Sequence, residues 1–286
     1  MVLARAIGRV STLSKRGREW ADRQEPGSVT GVAIDAWRRY RAVDGPLQSA
    51  LLSLYILVAV LPALLVIEEY LETDPTALAN HIVHHYGLSP TTGDLVRGVL
   101  VQDKTHELGS ALFAIAGALF FGLSFGRVLQ HVHARAWRIP LEESNADVPR
   151  YAAALVGLYG LILLLLVQLK ELTGDLSWAR LVVAPGWVAL LTLYFLWAPR
   201  LLTHRQIGAR DLLPGAVLTA AGLIVVMLIS SFVMEFWVNL YARDYGGFGV
   251  VMAIFFWIGF SSAVIVLAAS LSPALSERRL ARGSAA

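Results

Sequence analysis

The chain contains no cysteine. Disulfide frameworks, thiolate metal sites and cysteine nucleophiles are therefore excluded. Charge is scarce as well. Only 16% of the 286 residues are Asp, Glu, Lys or Arg, against about 25% in a typical soluble domain. A secretory leader is not expected, because Arg5, Arg9, Lys15, Arg16 and Arg18 interrupt the opening segment before any apolar run can form. No phosphate-binding loop is expected either. The glycines of Tyr245-Gly246-Gly247-Phe248-Gly249 lack the preceding strand and the Lys-Ser/Thr that a phosphate cradle needs. With no nucleotide motif, no cofactor is expected, and the chain is not read as an enzyme. The pI near 9.3 is no argument for nucleic-acid binding, since what matters is where the basic residues sit.

What is present is apolar. Hydrophobic residues make up 56% of the chain and mean hydropathy is +0.60. Long uncharged stretches alternate with short charge-dense ones, the pattern of a membrane protein. A crossing helix needs roughly 20 apolar residues. Six runs qualify: 47–67, 108–126, 151–169, 181–198, 212–234 and 248–271. None carries Asp, Glu, Lys or Arg near its middle, which argues against a proton-coupled carrier built on a buried carboxylate. Orientation follows from Lys and Arg. Nineteen lie in 1–46, 127–150, 199–211 and 272–286, and five in 68–107, 170–180 and 235–247. Both ends are therefore expected on the cytoplasmic side.

The expected fold is an all-α membrane protein, a six-transmembrane-helix bundle with an N-terminal interfacial helix and a short helical outer loop. Residues 1–46 form a basic cytoplasmic segment, 47–271 the membrane domain and 272–286 a cytoplasmic tail. Thr30–Arg41 is expected along the membrane surface, with Val32, Ala33, Ala36, Trp37 and Tyr40 on an apolar side and Arg38, Arg39 and Arg41 on a basic one. Gly45-Pro46 then turns the chain into the bilayer. The outer loop 68–107 is expected to hold two short helices, one starting at Asp74-Pro75 and one at Ser89-Pro90, and to cap the bundle.

Four groups of residues could carry function. His81, His84 and His85 share one helical face and are the weak candidates for a metal site; the alternative is a solvated polar face. His131-x-His133 superficially resembles the His-x-His-x-Asp-His signature of metallo-β-lactamase-type ribonucleases, but Arg135 and Ala136 stand in place of Asp and His. The expected alternative is a basic helix end for anionic lipid. Ser231, Glu235, Asn239 and Arg243 recur every four residues as one polar stripe, either lining a vestibule or rising into water. Gln48, Ser49, Ser53 and Tyr55 in the first run, with Ser124, Gln168, Ser230, Ser261 and Ser262 elsewhere, are expected to hydrogen-bond between helices or to line a path. Pro62, Pro185 and Pro214 are expected to kink their helices.

Several segments resemble the YihY/virulence factor BrkB family of bacterial inner-membrane proteins, historically labelled ribonuclease BN-like. Ser49 to Pro62 resembles the family's Leu-Ser-Leu…Pro opening helix, Leu129-Gln130…Ala136-Trp137-Arg138-Ile139-Pro140 its segment after the second span, and Leu213-Pro214-Gly215-Ala216 the start of its fifth. Tyr245 to Gly249 followed by Trp257 resembles its most recognisable block. The chain departs from the pattern at Ala134, where the family often has Asn, and at Ala268-Ala269-Ser270, where it often has Gly-Ala-Glu. The resemblance implies an envelope protein, with Pro214, Gly215, Gly249 and Trp257 as structural positions. It also implies a transporter or a lipid-translocation role for membrane lipids or an amphipathic solute. The substrate path is expected along Gln48, Ser53, Tyr55, Pro62, Ser231, Glu235, Asn239, Tyr245 and Gly246, with a lateral or outward cavity near spans one, five and six. A non-transporting envelope scaffold is the alternative. A ribonuclease lacks its catalytic constellation here.

Overall fold

The computed structural model describes residues 28–70, 80, 83–84, 88–100, 108–140, 145–171 and 177–283. Every regular element among them is helical. They are α1 (Val29–Ala42), α2 (Gly45–Tyr70), α3 (Pro90–Leu100), α4 (Leu108–Ala136), α5 (Val148–Glu171), α6 (Ser177–Leu202), α7 (Ala209–Tyr245) and α8 (Gly247–Gly283), with a 3-10 turn at Asn145–Asp147.

Each of the six apolar runs lies inside one continuous helix, α2, α4, α5, α6, α7 and α8 in turn. By length and composition, 209–230 and 247–277 are each apolar enough to cross a membrane, both with mean hydropathy 2.5. Thr30–Ala42 and Gly45–Ala59 together make a third candidate, bent by 63°. The bend follows from local chemistry. Ser28 Oγ caps α1 by accepting from the Gly31 amide at 2.9 Å. Asp44 adopts a positive φ of 55° at the break, and the ring of Tyr40 lies so close over Gly45 that a Cβ there would sit 2.3 Å from it.

α7 packs most extensively on α8, and α2 on α4 and α8, while α6 packs on α7 and α1 on α8. The main core gathers Leu52, Phe125, Leu129, Tyr151, Leu202 and Val266 from five helices. A second core unites Leu88 and Val96 with Met234, Val238, Val250 and Ala253. It fastens α3 onto the far ends of α7 and α8, away from α1. The second loop helix expected at Ser89-Pro90 is therefore present, with Ser89 Oγ accepting from the Thr92 amide. The first, expected from Asp74, lies mostly outside the described residues.

Two expectations change. α7 begins at Ala209, so Pro214 lies within the helix instead of opening it. At 37 residues it extends about 56 Å, well beyond a hydrocarbon core of ~30 Å. The serines expected to bond between helices instead bond one turn back within their own. Ser49 donates to Gly45 O, Ser53 to Ala50 O, Ser124 to Phe120 O, Ser230 to Met227 O and Ser261 to Trp257 O. Tyrosine and glutamine tie helices together instead. Tyr159 and Tyr194 donate to the carbonyls of Ala59 and Ala154, Tyr151 to Gln130 Oε1, and Gln130 Nε2 to Leu202 O.

Candidate functional site

A void borders α1, α7 and α8. It is a groove of about 550 Å³, within the size range of small-molecule sites. Trp37 and Tyr40 of α1 and Pro46 of α2 form one end, with Leu267 of α8. Trp237 of α7 and Trp257 and Phe260 of α8 contribute aromatic rings to the wall, and the rings of Trp237 and Phe260 lie 5.7 Å apart. The α7 side is built by Val226, Ile229, Val233 and Met234, which fall on one helical face. The hydroxyl of Ser230 also lines the groove, but it is spent on Met227 O. Among the described residues no Asp, Glu, Lys, Arg or His lines the groove. Trp37, Ile229 and Phe260 are each more than half exposed, so the groove is open along its side.

α1 forms a wall of this groove because Arg39 anchors it. Arg39 is 7% exposed. It donates to Asp35 Oδ2 at 2.8 Å, to both carboxylate oxygens of Glu277 at 2.7 and 2.8 Å, and to Ala136 O at 3.2 Å. Burial works against its charge, but the bonds and charges of Asp35 and Glu277 outweigh it and leave the guanidinium pKa raised. Arg39 is thus not part of an exposed basic face. Arg38 and Arg41 are exposed. On the apolar side Val32, Ala36 and Tyr40 are buried, whereas Ala33 and Trp37 are exposed.

The same end holds a second buried charge. Asp147 is fully buried between the 3-10 turn and the α6–α7 connection. Its Oδ1 accepts from Arg150 Nη1 and lies 2.8 Å from His204 Nε2, which itself lies 2.9 Å from Arg150 Nη1, while Oδ2 has no hydrogen-bond partner. His133, expected on a basic helix end, is instead buried. Its Nδ1 donates to Leu129 O. Beyond the 108–126 run, burial pushes its imidazole down to about 4. A small void of about 10 Å³ beside it is bordered by Thr219 and Ser272, room for about one water.

The residues expected on a substrate path do not converge. Gln48 and Ser53 are buried within α2, and Tyr55 packs against Phe121. Pro62 lies within the continuous α2. Glu235 is exposed, and Asn239 accepts from the Ser89 amide at 3.3 Å, tying α3 to α7. Arg243 stands exposed beside Asp244, and Tyr245 is exposed. The side chain of Ser231 is outside the described residues, as are His81 and His85; His84 is exposed. Among the described residues no group of three or more His, Asp or Glu is placed to hold a metal ion. Gly246, also expected on the path, ends α7 with φ 60°. A Cβ on Gly249 would lie 2.0 Å from Tyr241 O, and one on Gly215 2.7 Å from the Cβ of Ser272. Trp257 alone among the named path and structural residues borders the groove. The signal that could have revealed the groove was the apolar face of 226–237, which is hard to tell from an ordinary packing face.

No curated protein and no solved structure matches the chain. The family model for virulence factor BrkB does match, over residues 36–286. That span takes in Trp37, Arg39, the groove and the Gly246–Gly249 turn, so the chain belongs to the YihY/virulence factor BrkB family.

Proposed function

We propose that this protein crosses the bacterial cytoplasmic membrane six times, through α2, α4, α5, α6, α7 and α8, with both ends inside, and moves an amphipathic envelope component as a transporter or flippase-like protein. The observation that carries the transport reading is the laterally open apolar groove against α7 and α8. A membrane protein gains nothing from leaving a gap in its wall unless something fills it, since helix association in lipid depends on close packing. The topology rests on the nineteen-to-five asymmetry of Lys and Arg. The exposed arginines Arg135, Arg138, Arg205 and Arg210 all fall at the end expected inside.

The test is reconstitution of the purified chain into phospholipid vesicles carrying a fluorescent lipid in both leaflets, with an impermeant quencher outside. Quenching that runs past the outer leaflet in proportion to protein supports transport. Quenching that stops at the outer leaflet, as in protein-free vesicles, contradicts it and favours the scaffold reading.

A further inference from the structure

We infer that the groove between α1, α7 and α8 is a binding site for one acyl chain of an anionic lipid, whose headgroup sits beside the exposed Arg41 of α1. This deepens the membrane reading above and rests on it.

The walls decide the buried part of the ligand. Groove residues offer carbon and aromatic faces, and the Ser230 hydroxyl is already bonded to its own helix. A sugar, peptide or nucleotide placed there would leave its polar groups unpaired, at the cost of their desolvation. Hydrocarbon loses nothing. The shape decides which hydrocarbon. The lining runs from Val226 to Trp237 on α7 and from Trp257 to Leu267 on α8, about 15 Å along each axis. That is a slot for an extended chain. The side opening at Ile229 and Phe260 lets such a chain enter from the bilayer without passing through water.

The mouth decides the headgroup. Trp37 and Tyr40 stack there at 5.5 Å, amphipathic rings of the kind found at the headgroup level. Arg41 is exposed on the same helix, four residues beyond Trp37 and so on its face. Asp35 and Glu277 are paired with Arg39, and Asp44 with Arg135. The field at the mouth is therefore positive and favours an anionic headgroup.

The experiment uses the full-length protein in vesicles with a phosphatidylglycerol that carries a photoreactive group midway along one chain, followed by peptide mapping. Labelling is expected on α7 226–237 and α8 257–267, and it should be competed by excess unlabelled phosphatidylglycerol. Val156, exposed on α5, marks ordinary lipid contact that should not be competed. Filling the groove with Ala263→Trp should remove the groove label and leave the α5 label. Arg41→Gln should weaken competition about fivefold, while phosphatidylcholine of the same chains should compete poorly. Label spread equally over α5 and the groove, without saturation, overturns the site. Equal competition by phosphatidylcholine overturns the anionic headgroup. Competition in the wild-type chain carries the test if Ala263→Trp does not fold. Saturable groove label without lipid transport would leave this site standing and remove the transporter reading; transport without groove label would do the reverse.

Discussion

Arg39 and Glu277 lie 238 residues apart in the chain and meet through two hydrogen bonds of 2.7 and 2.8 Å. With Ala136 O as a further acceptor, one guanidinium joins α1, α4 and α8. It therefore fixes the wall that carries Trp37 and Tyr40 to the groove. The two partners are not equivalent. Arg39 is buried, whereas the side chain of Glu277 is 61% exposed.

That asymmetry sets the first prediction. Arg39→Gln strips three acceptors of a charged donor and should destabilise the protein by about 2 kcal/mol. Glu277→Gln leaves Arg39 bonded to Asp35 and Ala136 and should cost about 1 kcal/mol or less. Thermal unfolding in detergent measures both. Equal effects would mean that the ion pair, and not the buried guanidinium, holds α1.

Asp147 gives the second. Asp147→Ala removes the acceptor of Arg150 and the carboxylate facing His204 and should cost about 2 kcal/mol. A double-mutant cycle with His204→Ala should show coupling, since the two side chains touch. Additive losses would show that the contact is energetically idle.

His133 gives the third. Its folded pKa of about 4 lies below the ordinary value near 6.5. Above about pH 6.5 the ring is neutral in both folded and unfolded states, and the group contributes no pH dependence. As pH falls from 6.5 toward 4 the unfolded chain takes up the proton first, so stability falls, by an amount on the order of 3 kcal/mol. Unfolding midpoints across pH 4 to 7 should show this slope, and His133→Gln should flatten it. An unchanged slope would assign the acid sensitivity to other groups.

The α7–α8 turn gives the fourth. Gly249→Ala brings a methyl group against the Tyr241 carbonyl, which backbone cannot easily vacate, and should cost about 3 kcal/mol. Gly246→Ala meets open space but keeps φ at 60° and should cost about 2 kcal/mol. The order of the two losses in a thermal series checks the cause. A larger loss at Gly246 would favour backbone strain over steric contact.

This turn was legible in the sequence, as were the helices. Apolar runs of the right length and glycines at a close turn are local signals, and each of the six runs lies in a single helix. Arg39 was not legible. In Trp37-Arg38-Arg39-Tyr40-Arg41 nothing local separates the buried arginine from its exposed neighbours, because its main partner lies at the other end of the chain. Asp147 was hidden for the same reason, its histidine partner arriving from the α6–α7 connection. The stripe of Ser231, Glu235, Asn239 and Arg243 falls within the single helix α7, where a spacing of four shares a face. Periodicity gives no information on what that face meets, and Asn239 meets the start of α3.

The absence of cysteine makes the proposed six-span topology directly measurable, because any single introduced cysteine is the only thiol. Asp94→Cys and Arg243→Cys, at the α3 end, should react with an impermeant maleimide in intact spheroplasts. Arg138→Cys and Arg205→Cys, at the α1 end, should react only after the membrane is opened. Labelling of all four positions in intact spheroplasts, or of the second pair alone, would contradict the account.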